Sequence, residues 1–329
     1  MEHQLTTSSS VALPEELHHR VVWWVLLLGN RQLVAGGIAV GFAVVVRSLI
    51  GVGFLDVGAD SKAATVFASG LTAGVVTLVT VALSINQLIL SRVFDAPDSL
   101  IDRLEGTREL RGSVEELAGA PASPNDPAAF LSMIAATLED RAASLEAAIE
   151  RSAWEPPEDV TAAIHDIREY GTNVDDHVEA QASIIDVLDA LLGRGYARNM
   201  TATRHILKAY RDPMSNEALE ELRAIEELFE SIAVARQFFK TLALQQDFAQ
   251  LSRLVVYTGL LALATTISLT LLYRGSSTTV PPSLLPLVIS VGVGVIVTPL
   301  AVFTAYVLRA ATVGRRTVST GAFIPVRSR

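Results

Sequence analysis

Four stretches of the chain hold almost nothing but apolar residues: about Gln32 to Leu55, Ala63 to Leu90, Leu254 to Tyr273 and Leu284 to Leu308. Each reaches the roughly 20 helical residues that cross a hydrocarbon core of about 30 Å. None alternates like a barrel strand, and lipid offers no partner to a free peptide group, so each predicts a transmembrane helix. Between the second and third stretches the pattern changes to apolar residues at helical spacing with clear breaks. Ala96-Pro97-Asp98 opens a helix carrying Leu100, Leu104, Leu110, Val114 and Leu117, and a loop with Pro121 and Pro124 follows. Asp126-Pro127 caps a second helix with Phe130, Leu131, Ile134, Leu138, Leu145 and Ile149 on one face. A third helical region spans about Glu158 to Leu192, with an interruption expected at Gly171-Thr172-Asn173. After Asp212-Pro213 no proline or glycine occurs until Gly259, so one long helix is expected to run from the polar region into the third span. A helix of that length needs neighbours, and antiparallel packing with the other polar helices is the default.

Arginine placement sets the orientation. Arg20 and Arg31 precede the first span, Arg92 follows the second, Arg236, Lys240 and Arg253 precede the third, and Arg309, Arg315, Arg316, Arg327 and Arg329 follow the fourth. The connections on the other side, Asp56 to Lys62 and Arg274 to Ser283, carry one basic residue each. Both termini and the polar region are therefore expected in the cytoplasm of a multi-pass cell-membrane protein. Near the N-terminus, Pro14, Glu15 and Glu16 form a helix start and Gly29-Asn30-Arg31 a stop, with Trp23 and Trp24 between them. That segment suits a helix lying on the membrane interface; the alternative is an inward extension of the first span. A cleaved signal peptide is not expected, because no small-residue cleavage site follows the apolar run.

The expected fold is all-α: four transmembrane helices with a cytoplasmic helical bundle inserted between spans two and three. The divisions are a cytoplasmic N-terminus with an interfacial helix (1–31), a transmembrane hairpin (32–90), an acidic cytoplasmic helical domain (91–253), a second hairpin (254–310) and a basic cytoplasmic tail (311–329).

Composition sharpens this in three ways. Half of the 329 residues are hydrophobic and the mean hydropathy is +0.40, which agrees with several spans. The absence of cysteine removes disulfides, thiolate nucleophiles and cysteine-ligated metals. The net charge of −9 conceals segregation: Phe94 to Gln250 holds 30 acidic and 14 basic residues, a balance of −16, and the remainder is positive. Only Lys62, Lys208 and Lys240 among the 26 basic residues are lysines. An acidic, lysine-poor polar region fits a high-salt cytoplasm, although a GC-rich genome also exchanges lysine for arginine. No basic footprint for nucleic acid is present.

The residues that invite a functional reading lie in the spans. Gly70, Gly74, Thr77, Ser84 and Ser91 share a face of the second span, with Thr80 and Gln87 beside it and Asn86 next along the chain. Such a face either lines a water-filled pathway or packs against a helix, and the small-xxx-small pairs Gly37/Gly41 and Gly70/Gly74 suit packing of spans one and two. An amide such as Asn86 or Gln87 cannot satisfy all its groups on its own helix. Arg47 lies inside the first span, where it can hold an anion as an ion-selectivity residue, pair with Asp56 or Asp60, or snorkel to the interface. Pro299, after Gly292 and Gly294, is expected to kink the fourth span. His165 and Glu169 are one turn apart near Asp175, Asp176 and His177, yet a solvated acidic face explains them better than a metal. No phosphate-binding loop, nucleophile elbow or metalloprotease motif occurs, so neither an enzyme nor a cofactor is expected.

The exit of the second span, Val81-Ala82-Leu83-Ser84-Ile85-Asn86-Gln87-Leu88-Ile89-Leu90-Ser91-Arg92, and the end of the fourth, Tyr306 to Val313 with Arg315-Arg316, resemble uncharacterised four-span membrane proteins of halophilic archaea. The resemblance covers nearly the whole chain and carries no assigned activity. The layout is also similar in topology to bestrophin-type anion channels, without their sequence motifs. Two functions of different class are expected: a homo-oligomeric channel or transporter for a small ion or solute regulated by the bundle, or a membrane-anchored scaffold whose acidic bundle binds a cytoplasmic partner.

Overall fold

The computed structural model describes residues 7, 21–22, 24–93, 97–178, 195–274 and 277–316. The regular structure of the described residues is helical apart from one short antiparallel ladder, β1 (Tyr273–Arg274) with β2 (Ser277–Thr278). After a π-helical turn at Trp24–Leu28 come α1 (Arg31–Gly51), a short helix Ala63–Thr65 running through a π-helical stretch Val66–Leu71 into α2 (Thr72–Val93), α3 (Pro97–Ala118), α4 (Pro127–Glu150), α5 (Glu158–His177), α6 (Gly195–Ala209), α7 (Asn216–Leu271) and α8 (Leu285–Arg316). Four segments are long and apolar enough to cross a membrane: Arg31–Gly51, Ala63–Gln87, a window of α7, and Leu285–Gly314. As the missing helix breakers imply, α7 is unbroken for 56 residues. The proposed interfacial helix falls mostly outside the described residues.

The chain divides into two compact units, one from the helices between 97 and 243, the other from those between 21 and 93 and between 244 and 312. In the first, the helical stripes read from the sequence form the core: Leu131, Ile134, Leu138 and Leu145 of α4 meet Ile164 and Ile167 of α5 and Leu222, Ile225, Leu228 and Phe229 of α7, all fully or almost fully buried. Asp126 caps α4 by accepting the Ala129 N–H at 2.9 Å, with Pro127 in the first turn. The interruption expected at Gly171 does not occur, since α5 runs through it. Gly171 serves close approach: a Cβ there would lie 2.8 Å from the Ala135 carbonyl and 3.1 Å from the Glu139 amide of α4. Arginines tie helices together as multidentate donors. Arg141 closes the end of α3 at the Leu117 carbonyl and pairs with Glu221 of α7, and Arg204 of α6 pairs with Glu226 and Glu230. The loop after α3 turns at Gly119, whose φ of +62° favours glycine. It is held by Glu115, which accepts both the Ser123 N–H and hydroxyl at 2.7 Å, and these bonds keep its carboxyl below the usual range. Burial raises the Tyr170 and Tyr196 hydroxyls above the ordinary tyrosine range.

In the second unit the glycines that matter for packing are not the two pairs conspicuous in the sequence. A Cβ at Gly37, Gly41, Gly70 or Gly74 would meet nothing within 4 Å. One at Gly259 of α7 would strike Val79 of α2, one at Gly292 of α8 would strike Leu269 of α7, and one at Gly294 of α8 would sit 3.0 Å from Ala43 of α1. The helices therefore pack in the order α1, α8, α7, α2. At the end carrying the short connections, the Tyr273 hydroxyl donates to the Val57 carbonyl at 2.9 Å. At the other end Asn30 caps α1 by accepting the Gln32 N–H at 2.8 Å.

Candidate functional site

The polar face of α2 has no partner among the described residues. Gly70, Gly74, Thr77, Thr80, Ser84 and Gln87 are all exposed and Asn86 is half-buried. Gly70 lies in the π-helical stretch, so the face is continuous in α-helical register only from Thr72 onward. Its hydroxyls are spent on their own helix: Thr77 donates to the Ala73 carbonyl at 2.9 Å, Thr80 to Val76 at 2.9 Å and Ser84 to Thr80 at 3.0 Å. Gln87 sits toward the end of α2 that follows this row.

Arg47 lies away from that face. It is exposed near the outgoing end of α1 and lines a groove between α1 and α8 with Ser48, Leu287 and Ser290. Among the described residues no ion pair joins it to Asp56 or Asp60; Asp56 instead accepts the Gly58 N–H at 2.8 Å. Pro299 is buried in α8, which continues through it. Lacking an N–H, it leaves the Val295 carbonyl without its helical donor.

A second constellation sits at the opposite end of these apolar helices and does not stand out in the sequence. Asp247 of α7 and Arg309 of α8 form an ion pair with side chains only 8 and 11% exposed. The Arg309 guanidinium lies 5.6 Å from the buried Tyr306 ring. Arg31, 2% exposed, opens α1 beside them, and its charge also acts on Asp247. Its nitrogens donate to the carbonyls of Gly29 at 2.8 Å, Val25 at 2.8 Å and Trp24 at 3.2 Å, which locks the π-helical turn onto α1. Gly29 is needed there, since a Cβ would come 2.7 Å from the Trp24 carbonyl. Among the described residues the carboxylate pairs with Arg309 alone, and the Arg309 Nε has no hydrogen-bond partner. A buried ion pair adds little net stability over apolar residues of the same shape, whereas losing one partner is costly.

A model of a family of unknown function, DUF7972, matches residues 3–329. The chain belongs to the DUF7972 family. No curated protein and no solved structure matches it. Membership carries neither a halophilic source nor a bestrophin-like arrangement, and it assigns no activity. Among the described residues of this DUF7972 chain no three His, Asp or Glu side chains cluster as metal ligands.

One sequence signal for the missed cluster was present. Asp247 is the last acidic residue of the chain, standing between Lys240 and Arg253 and followed only by arginines among its charged residues. A lone carboxylate among cations at the mouth of a span is a pairing signal. It was hidden by counting Asp247 with the acidic region.

Proposed function

We propose that this chain is a multi-pass membrane protein that assembles with copies of itself into a channel or transporter for a small ion or solute. The pathway runs along the polar face of α2, and both termini and the helical bundle lie in the cytoplasm. The observation that supports this is the exposure of that face: a Cβ at Gly74 would meet nothing within 4 Å among the described residues, and Thr77, Ser84 and Gln87 are exposed. The hydroxyls can face lipid because they are satisfied locally, but the Gln87 amide holds two donors and a carbonyl that α2 cannot satisfy. Copies of α2 around one axis give it water or another amide. The buried Asp247–Arg309 pair fixes α7 against α8 and so supplies a rigid wall behind the pathway.

The absence of cysteine makes assembly directly testable. Single cysteines at Thr77, Ser84 and Ala82 are treated in membranes with a short bismaleimide. Thr77→Cys and Ser84→Cys are expected to give a species of twice the monomer mass, and Ala82→Cys, on the 1% exposed inner side of α2, is not. Equal linking at all three, or none at any, contradicts the assembly.

A second reading, a membrane-anchored scaffold, is favoured by a different observation. Leu100, Ile101 and Leu104 of α3 are about half exposed, forming an apolar turn suited to a protein partner.

A further inference from the structure

We propose that the groove between α1 and α8 is a binding site for one anionic phospholipid, with an acyl chain along the groove and the phosphate on Arg47. The inference rests on reading α1 and α8 as spans and is independent of any solute pathway. The groove encloses about 590 Å³. Its floor is made by the close approach of the two helices at Gly294 and Ala43, and its sides by aliphatic residues such as Val40, Val44 and Val291. From Gly36 to Ser48 it follows α1 for about 18 Å at 1.5 Å per residue. That matches a single leaflet, about half of a 30 Å hydrocarbon core.

The polar atoms along the groove are already committed. Ser48 donates to the Val44 carbonyl at 2.9 Å, Ser290 to Pro286 at 2.6 Å and Thr298 to Gly294 at 2.9 Å, so the three residues present mainly carbon to an occupant. Arg47 is the exception. It makes no ion pair or hydrogen bond with any described residue, and its Nη1 would lie 3.7 Å from a Cβ placed on Gly51, so the guanidinium reaches along α1 toward the membrane surface. A long apolar trough one leaflet deep, ending in an uncompensated guanidinium, complements a molecule with a hydrocarbon tail and a phosphate. A helix from a second copy would need to bring a carboxylate to Arg47 and fill the trough with side chains.

The test uses the full chain purified in detergent and native mass spectrometry, with phosphatidylglycerol and a diacylglycerol of the same chains as probes. The parent is expected to retain one phosphatidylglycerol per chain, about tenfold more tightly than diacylglycerol, in keeping with a charge-assisted phosphate contact. Arg47→Gln is expected to bring the two lipids level. Gly36→Leu is expected to weaken both, because its side chain enters open space at the inner end of the groove without meeting a neighbour. Unchanged thermal unfolding confirms that both variants fold. Equal phosphatidylglycerol retention by parent and Arg47→Gln overturns the proposal, as does no retention by the parent. A dimer lost with Gly36→Leu, in the absence of bound lipid, overturns it by giving the groove to a second copy. Failure of the span reading shows separately, as a chain that stays in solution without detergent.

Discussion

Asp247→Ala is expected to destabilise the protein by about 3–5 kcal/mol, the cost of leaving buried charge without its partner. The side chain is 8% exposed and pairs with Arg309, and the nearby Arg31 has only backbone carbonyls besides. Removing the carboxylate leaves the buried Arg309 guanidinium without its ion-pair partner. Asp247→Asn keeps the shape and one acceptor and is expected to fall between parent and alanine. The double variant Asp247→Leu with Arg309→Met removes both charges of the pair and is expected to recover most of the loss, since a buried ion pair replaced by apolar residues is often neutral. The measurement is thermal unfolding in detergent. A small effect of Asp247→Ala, or no recovery in the double variant, shows that the pair is dispensable.

The second large effect concerns a sign. Gly→Ala at an exposed position inside a helix normally stabilises by roughly 0.5–1 kcal/mol, because alanine loses less backbone freedom on folding. Gly112→Ala in α3, where a Cβ meets nothing within 4 Å, is expected to behave this way. Gly171→Ala is expected to do the opposite and cost about 1–3 kcal/mol. Its Cβ would press on the Ala135 carbonyl and the Glu139 amide, and backbone atoms inside α4 cannot turn aside as a side-chain end can. The two variants compared in one thermal-unfolding series decide the point. Stabilisation by both shows that α4 and α5 can part without loss.

The four apolar helices and the starts of α4 and α7 were legible because they depend on periodicity and on breakers: the run without proline or glycine before Gly259 marks α7, and Asp126-Pro127 marks the start of α4. Helix α6 was not, and the expected stretch of the third polar helix beyond Val178 lies outside the described residues. What a glycine does was not legible, because the same residue marks a turn, a close contact or nothing. Gly171 reads as a break and is a contact. Gly37 and Gly41 read as a contact and meet nothing, whereas Gly259, Gly292 and Gly294 hold the spans together. Packing order depends on which faces meet in space, and one strand of sequence contains no such pairing. The π-helical stretch Val66–Leu71 has no periodic signature in six residues, so the sequence does not show that Gly70 departs from the α-helical register of the α2 face. Of the candidate residues, the exposed row on α2 was visible as a pattern of small and polar side chains. The separation of Arg47 from that row, and its place between α1 and α8, required the structure.

Flux of potassium or chloride through protein reconstituted in liposomes tests the central claim, that the face of α2 lines a pathway. Leucine is introduced at Thr77, at Ser84 and at Gln87, with Val45→Leu, an exposed apolar position of α1, as the control. The parent and Val45→Leu are expected to conduct equally, and Gln87→Leu to lose most of the flux, because it removes the one amide on the face and adds a branched apolar group. Equal flux from the parent and all three leucine variants of the polar face, or none from the parent, contradicts the claim.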